Sequence, residues 1–237
     1  MTKRHWLYAL IPLAAGVAAG ILRRIRRTQA AAIDKDDERP ADVGFMRAIH
    51  DASRRDVARL LDLAPQLEGR RPPKGWATLR DTLHYHHAAE DTDLWPVLRE
   101  RLTDLADVAA VDRMVEEHRE LEAAVDATDD ALERGQGVAA AAQHLDRVLR
   151  QHLDHEETAV FPLLETHLTR RDWRHFLETE RDKRPARERP EFVAWVLDDA
   201  SDDDAAAVLA ELPKPAHLVY RLVLRPRYAA QHRWRAA

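Results

Sequence analysis

The sequence predicts an all-α protein, an antiparallel four-helix bundle with an apolar N-terminal helix before it and short helices after it. Three observations predict this. Apolar residues recur at three- and four-residue spacing in four long segments, 42–64, 76–104, 107–134 and 138–168, the periodicity of helices with one buried face. The breaks between them are short, so consecutive helices turn back on one another. Only 7 glycines and 6% aromatic residues accompany 45% hydrophobic and 33% charged residues, which leaves too few turn residues for sandwiches or barrels.

The N-terminal segment carries Lys3 and Arg4, the apolar run from Trp6 to Leu22, then Arg23, Arg24, Arg26 and Arg27. As a helix the run spans roughly 25 Å, the short limit for a hydrocarbon core of about 30 Å. Residues 1–27 are therefore a hydrophobic helix and a candidate membrane anchor. Two readings compete with the anchor. One is a cleaved signal peptide with small residues at Ala18 to Gly20, which the arginines behind it oppose; the other is a helix packed on the surface. The arginine bias places the bundle on the cytoplasmic side of a cell membrane; without an anchor the chain is expected to be soluble and cytoplasmic. Residues 28–41, with Asp34, Lys35, Asp36, Asp37, Glu38 and Arg39, read as a charged linker.

The bundle is expected at 42–169. Pro65 with Pro72, Pro73 and Gly75 ends the first helix, Thr103 and Asp104 offer caps at the second junction, and Gly135 with Gly137 ends the third. Residues 170–237 form a helical extension. Arg170 to Glu180 carries Trp173, Phe176 and Leu177, the stretch from Arg181 to Pro190 is a connector, and Ser201 with Asp204 is a capping box opening a helix to about Leu212. The final segment, Pro215 to Arg225, is apolar on one side. Lys214, Arg221, Arg225, Arg227, Arg233 and Arg235 form a basic tail without an acid, suited to anionic lipid. The net charge of −5 gives no reason to expect a nucleic-acid partner.

The chain has no cysteine, which excludes thiol catalysis, zinc fingers and Cys-ligated iron–sulfur clusters. Its 13 histidines carry the chemistry instead. Residues 86–98, beginning His86-His87-Ala88-Ala89-Glu90, repeat at 152–164, beginning His152-Leu153-Asp154-His155-Glu156. The apolar stripe shares the offset: Leu79, Leu83, His86, Glu90, Leu94 and Val97 match Leu145, Leu149, His152, Glu156, Val160 and Leu163. Residues four apart stack on one helix face, so each imidazole and carboxylate can reach one metal. The first helix puts His50 in its stripe. The third puts His118 and Glu122 there.

Four imidazoles and two or three carboxylates in an apolar bundle need compensation, because an unpaired buried ion costs several kcal/mol. A metal with nitrogen and oxygen ligands supplies it; iron, manganese and zinc suit such a set, and carboxylate-rich bundle sites are commonly dinuclear. The bland alternative is a hydrogen-bonded polar layer. His84, His87 and His155 turn off the stripe and read as solvated or supporting groups, Asp91 and Glu157 as neighbours of the ligand carboxylates, and His144, His167, His175, His217 and His232 as surface. Tyr85 and Trp95 read as packing beside the stripe, with shielding of the centre or electron transfer as the functional alternatives.

The doubled His-x-x-x-Glu motif, each followed by an aromatic-Pro pair (Trp95-Pro96 and Phe161-Pro162), resembles the hemerythrin-like, or HHE cation-binding, family over residues 42–168. The resemblance implies two non-haem iron ions, oxo- or hydroxo-bridged, between four antiparallel helices. It implies His50, His86, Glu90, His118, His152 and Glu156 as metal ligands, with Glu90 and Glu156 bridging. The oxygen-carrying members have a second His four residues after the one on the third helix, where this chain has Glu122; that departure points away from simple O2 carriage.

Two octahedral irons offer about 12 positions. Four imidazoles and two bridging carboxylates fill eight of them and a bridging oxygen two more. Glu122 bound through both oxygens closes the rest; bound through one, or only hydrogen-bonded, it leaves a position open for O2, NO or peroxide. Three functions follow as expectations: sensing or binding O2, NO or redox state; an enzyme acting on peroxide or nitrogen oxides, with Glu122 or Tyr85 moving protons; and a closed structural or storage site.

Overall fold

The computed structural model describes residues 37–235, and these are all-helical with no β-strand. The apolar run 6–22, on which the anchor and its membrane location rest, lies outside the described residues. Among the described residues no helix is long and apolar enough to cross a membrane.

Four long helices form the body. Helix α1 is Gly44–Leu63. Helix α2 begins as Lys74–Ala89, passes through a π-helical turn, Glu90–Leu94, and continues as Trp95–Arg101. Helix α3 is Leu105–Arg134. Helix α4 begins as Val138–His155, passes through a second π turn, Glu156–Val160, and continues as Phe161–His167. The ends follow from local chemistry. Asp104 caps α3 by accepting from the Ala106 amide at 2.7 Å. Gly135, at φ 61°, ends α3 in the left-handed conformation that glycine adopts without steric cost. Helix α1 packs against α2 and α4, and α3 against the same two.

The buried apolar residues fall into two clusters, and the polar stripe separates them. Along α1 the chain passes from Met46 in one cluster through His50 to Val57 and Leu60 in the other; along α2 it crosses back, from Leu79 and Leu83 through His86 and Glu90 to Leu94 and Leu98. Helix α3 crosses from Met114 through His118 to Leu121, and α4 returns from Leu149 through His152 and Glu156 to Val160 and Leu164. Successive helices thus traverse one buried polar layer in opposite senses.

The extension is more than an appendage. Helix α5 (Arg170–Lys183) starts with a capping box in which Thr169 and Asp172 satisfy each other's backbone, and Trp173 on it is 1% exposed in the core. Helix α6 (Arg189–Val196) falls partly in the stretch read as a connector; Pro190 sits in its first turn, where the missing N–H has no partner to lose. It buries Trp195 completely. Helix α7 (Asp202–Ala210) is capped by Ser201 as expected and packs on α1. Helix α8 runs through Lys214–Val219, Tyr220–Leu224 and Arg225–Ala229. At the end of the 28–41 linker Asp37 and Ala41 are buried and Pro40 bridges to Thr169, while Glu38, Arg39 and Pro40 are exposed. In the basic tail, Arg233 is engaged by Thr78 and Glu191 and by the Tyr228 ring, because the tail folds back onto α2.

Candidate metal centre

Both His-x-x-x-Glu helices widen into a π turn at the glutamate. The aromatic-Pro pairs cause this: proline has no N–H for the carbonyl four residues earlier and clashes with it, so the regular ladder cannot continue. A threonine in each repeat restores part of the lost bonding. Thr92 Oγ1 donates to the Ala88 carbonyl at 2.8 Å and Thr158 Oγ1 to the Asp154 carbonyl at 2.6 Å. Two consecutive carboxylates then serve one place. Glu90 and Glu156 enter the core at 0% exposure, while Asp91 and Glu157 reach imidazoles on neighbouring helices.

The inner contacts are close. Glu90 Oε1 lies 3.1 Å from His86 Nε2 and its Oε2 3.5 Å from His118 Nε2. Glu156 Oε2 lies 3.4 Å from His50 Nε2 and 3.6 Å from His152 Nε2. The His50 and His86 Nε2 atoms are 3.2 Å apart. The outer ring nitrogens are held by carboxylates. His50 Nδ1 meets Glu157 Oε1 at 2.9 Å and His118 Nδ1 meets Asp91 Oδ1 at 2.8 Å. A proton on Nδ1 shared with a carboxylate leaves the Nε2 lone pair facing inward, the tautomer a metal requires.

Burial, then the neighbouring imidazoles, pushes His86 and His87 well below the ordinary histidine range. Burial also lowers His152, against the opposing pull of Glu117. These rings are neutral at physiological pH and competent as ligands. Burial and the facing Glu156 carboxylate push Glu90 well up. The supporting acids go the other way. Burial acts to raise Glu157 and Glu117, but His50 and Arg54 outweigh it at the first, and His152, Arg113 and His155 at the second; both are held at about 2.

Both oxygens of Glu90 and of Glu156, and Nε2 of His87, His118 and His152, are buried without a hydrogen-bond partner. Each such group costs about 1–3 kcal/mol when nothing satisfies it. Cations at the middle of this cluster would satisfy all of them, and the donor set, imidazole plus carboxylate without thiolate, fits iron. His50, His86 and Glu90 form one group and His87, His118 and His152 a second, each with donor atoms within 4.8 Å of one another.

Six of the seven sequence-predicted ligands therefore meet: His50, His86, Glu90, His118, His152 and Glu156. Glu122 does not join them. Its side chain is 62% exposed, with Oε1 3.7 Å from Nδ1 of His84, because the inward face of α3 runs through His118, Leu121 and Val125 and leaves position 122 on the solvent edge. His87, read as off the stripe, is corrected inward: it is 8% exposed and stacks on His118 with centroids 4.4 Å apart. Its repeat partner is the core residue Leu153, and that pairing was the available signal. Glu117, which lies beside His152 and His155, was missed; it sits in an acidic run that reads as surface. A cavity of about 490 Å³ between α2 and α3 is bordered by His87, His118, Asp91 and Glu122.

An all-helical protein whose helices converge on paired His/carboxylate groups is a candidate cation-binding helical protein. The sequence comparison makes the assignment specific. Residues 41–164, more than half of the chain, match the hemerythrin HHE cation-binding domain, and the chain belongs to that family. Comparison with curated proteins and with solved structures gives no match.

Proposed function

We propose that residues 42–169 form an antiparallel four-helix bundle holding two non-haem iron ions, and that the protein binds or senses O2, NO or peroxide there. One observation carries the reading: the Glu90 carboxylate addresses His86 with one oxygen and His118 with the other, as a carboxylate shared between two metal positions must. The opposite crossing of the polar layer by successive helices supports the antiparallel arrangement, and the two groups of donors support two metals. Bound iron would supply a reversible valence change and a coordination position for a small oxidant.

The chain's own residues prepare that chemistry. Asp91 and Glu157 fix the tautomers of His118 and His50. Arg47 and Arg54 bind Glu157 at 3.2 and 2.7 Å and keep its carboxylate charged. Phe161 stacks on His50 and Trp95 on His118, excluding water from the layer. The cavity beside His87 and His118 offers a small ligand a route to the centre, which favours an accessible site over closed storage. Exposed Glu122 leaves the ligand set open.

The test is metal analysis of the full-length chain with its visible spectrum before and after reduction, then after O2 and NO. About two irons per chain, with absorption that changes on reduction and changes again with either gas, supports the reading. Zinc, or no metal in a stably folded chain, overturns it.

A further inference from the structure

A second cavity, of about 410 Å³, lies where the extension meets the bundle, between α1 and α2 on one side and α5 and α6 on the other. Its walls are largely apolar: Phe45, Ile49, Tyr85, Trp173, Phe176 and Phe192 line it, and His86 borders it from the bundle side. The size falls within the roughly 300–1,000 Å³ of small-molecule sites. A space with such walls gives water few partners.

One charge in it stands out. The Arg184 guanidinium stacks over Phe192 at 4.2 Å and Tyr85 at 5.0 Å, contacts that use the faces of its plane. Its N–H donors lie in that plane, and among the described residues they make no hydrogen bond and no ion pair. The other arginines lining the cavity are engaged: Arg174 with Asp37 at 2.6 Å, Arg181 with Asp182 at 3.0 Å and Arg189 with Asp182 at 3.6 Å. Glu180, which also lines the cavity, has Lys183 3.3 Å from its Oε1. Burial lowers the Arg184 pKa and outweighs the opposing pull of Tyr85, Glu188, Glu180 and Asp81, the sign of a cation short of full compensation.

We propose that this cavity binds an amphipathic organic acid, its apolar body against the aromatic walls and its carboxylate paired with Arg184. A guanidinium meets a carboxylate through two parallel hydrogen bonds. A guanidinium without a hydrogen-bonded or ion-paired partner among the described residues, with Glu180 also lining the cavity, suits a monoanion and disfavours a phosphate dianion. The ligand would touch both α2 and α5, so its binding ties the extension to the bundle beside His86. The inference stands on the cavity and its guanidinium, independently of which metal fills the centre.

Calorimetric titration of sodium decanoate into the full-length chain, below the micellar range, tests it. Expected is one decanoate per chain, with binding about tenfold or more weaker in R184M, the loss expected for a charge-assisted hydrogen bond. Decan-1-ol, which lacks the charge, should bind both proteins to within a few-fold. If R184M does not fold, R184Q makes the same comparison. No binding of decanoate, several molecules per chain, or equal affinity in the variant overturns the proposal.

Discussion

Glu90 divides its carboxylate between two histidines of different helices, with Oε1 3.1 Å from His86 Nε2 and Oε2 3.5 Å from His118 Nε2. Both oxygens are buried and lack hydrogen bonds, so without a cation this group carries an uncompensated desolvation cost. Glu90→Gln keeps the shape and removes the charge. Iron affinity should fall by at least about tenfold, the lower end of what even supporting residues contribute, while the metal-free chain should be as stable or more so. Iron titration followed by thermal melting of the stripped protein checks both.

His87 and Glu122 separate two versions of the ligand set. The internal repeat supplies a conservative variant: His87→Leu copies Leu153, which is fully buried at the matching position. The fold should survive, since an unpartnered Nε2 is exchanged for an apolar group. Iron affinity should drop and the visible spectrum shift. Glu122→Ala, at an exposed side chain, should change neither. The opposite pattern, a silent His87→Leu and an altered Glu122→Ala, would restore Glu122 as ligand.

The inner layer was legible in the sequence because local periodicity encodes it. His86 and Glu90, with His152 and Glu156, sit in stripes whose spacing is that of a helix, and the expected boundaries of the four helices lie within about three residues of those observed. Periodicity reports the direction of a side chain only to about a third of a turn. That margin misjudged Glu122, on the rim of α3, and His87, one step from the stripe. It is blind to the π turns, which arise from a proline several residues later. It is blind as well to the docking of the extension: Trp195 reaches Asp56 across 139 positions of chain, and nothing near Trp195 announces its partner.

That contact is the hinge of the extension's stability. Asp56 is fully buried; it accepts from Trp195 Nε1 at 2.7 Å, Arg59 at 3.0 Å and Arg55 at 3.2 Å. Removing the acid leaves an indole N–H and two guanidinium groups without their common acceptor, and breaking a buried charged network by deleting one partner costs about 3–5 kcal/mol. Asp56→Ala should therefore loosen α6 and lower the urea midpoint strongly. Trp195→Phe, which loses one hydrogen bond and some packing, should cost less. Limited proteolysis, with early cleavage between residues 184 and 200 in Asp56→Ala, localises the effect.

Asp172 contributes to the acid limb of stability, beside Glu117 and Glu157. It binds Arg101 through two hydrogen bonds, at 2.7 and 2.8 Å, and accepts from the Thr169 amide at 2.8 Å. Arg101, and then Thr169 against the opposing effect of burial, hold its carboxyl well below the usual range. A carboxyl lowered by folding contributes stability that is fully present above its unfolded pKa of about 3.9 and is lost as pH falls toward the folded value. Asp172→Asn removes that contribution together with part of the cap, about 1 kcal/mol at neutral pH for a group of this exposure. Urea unfolding of the two proteins should differ by this amount near neutrality and converge well below pH 4, as the wild-type carboxyl takes up its proton; a difference that stays constant into acid would assign the effect to packing.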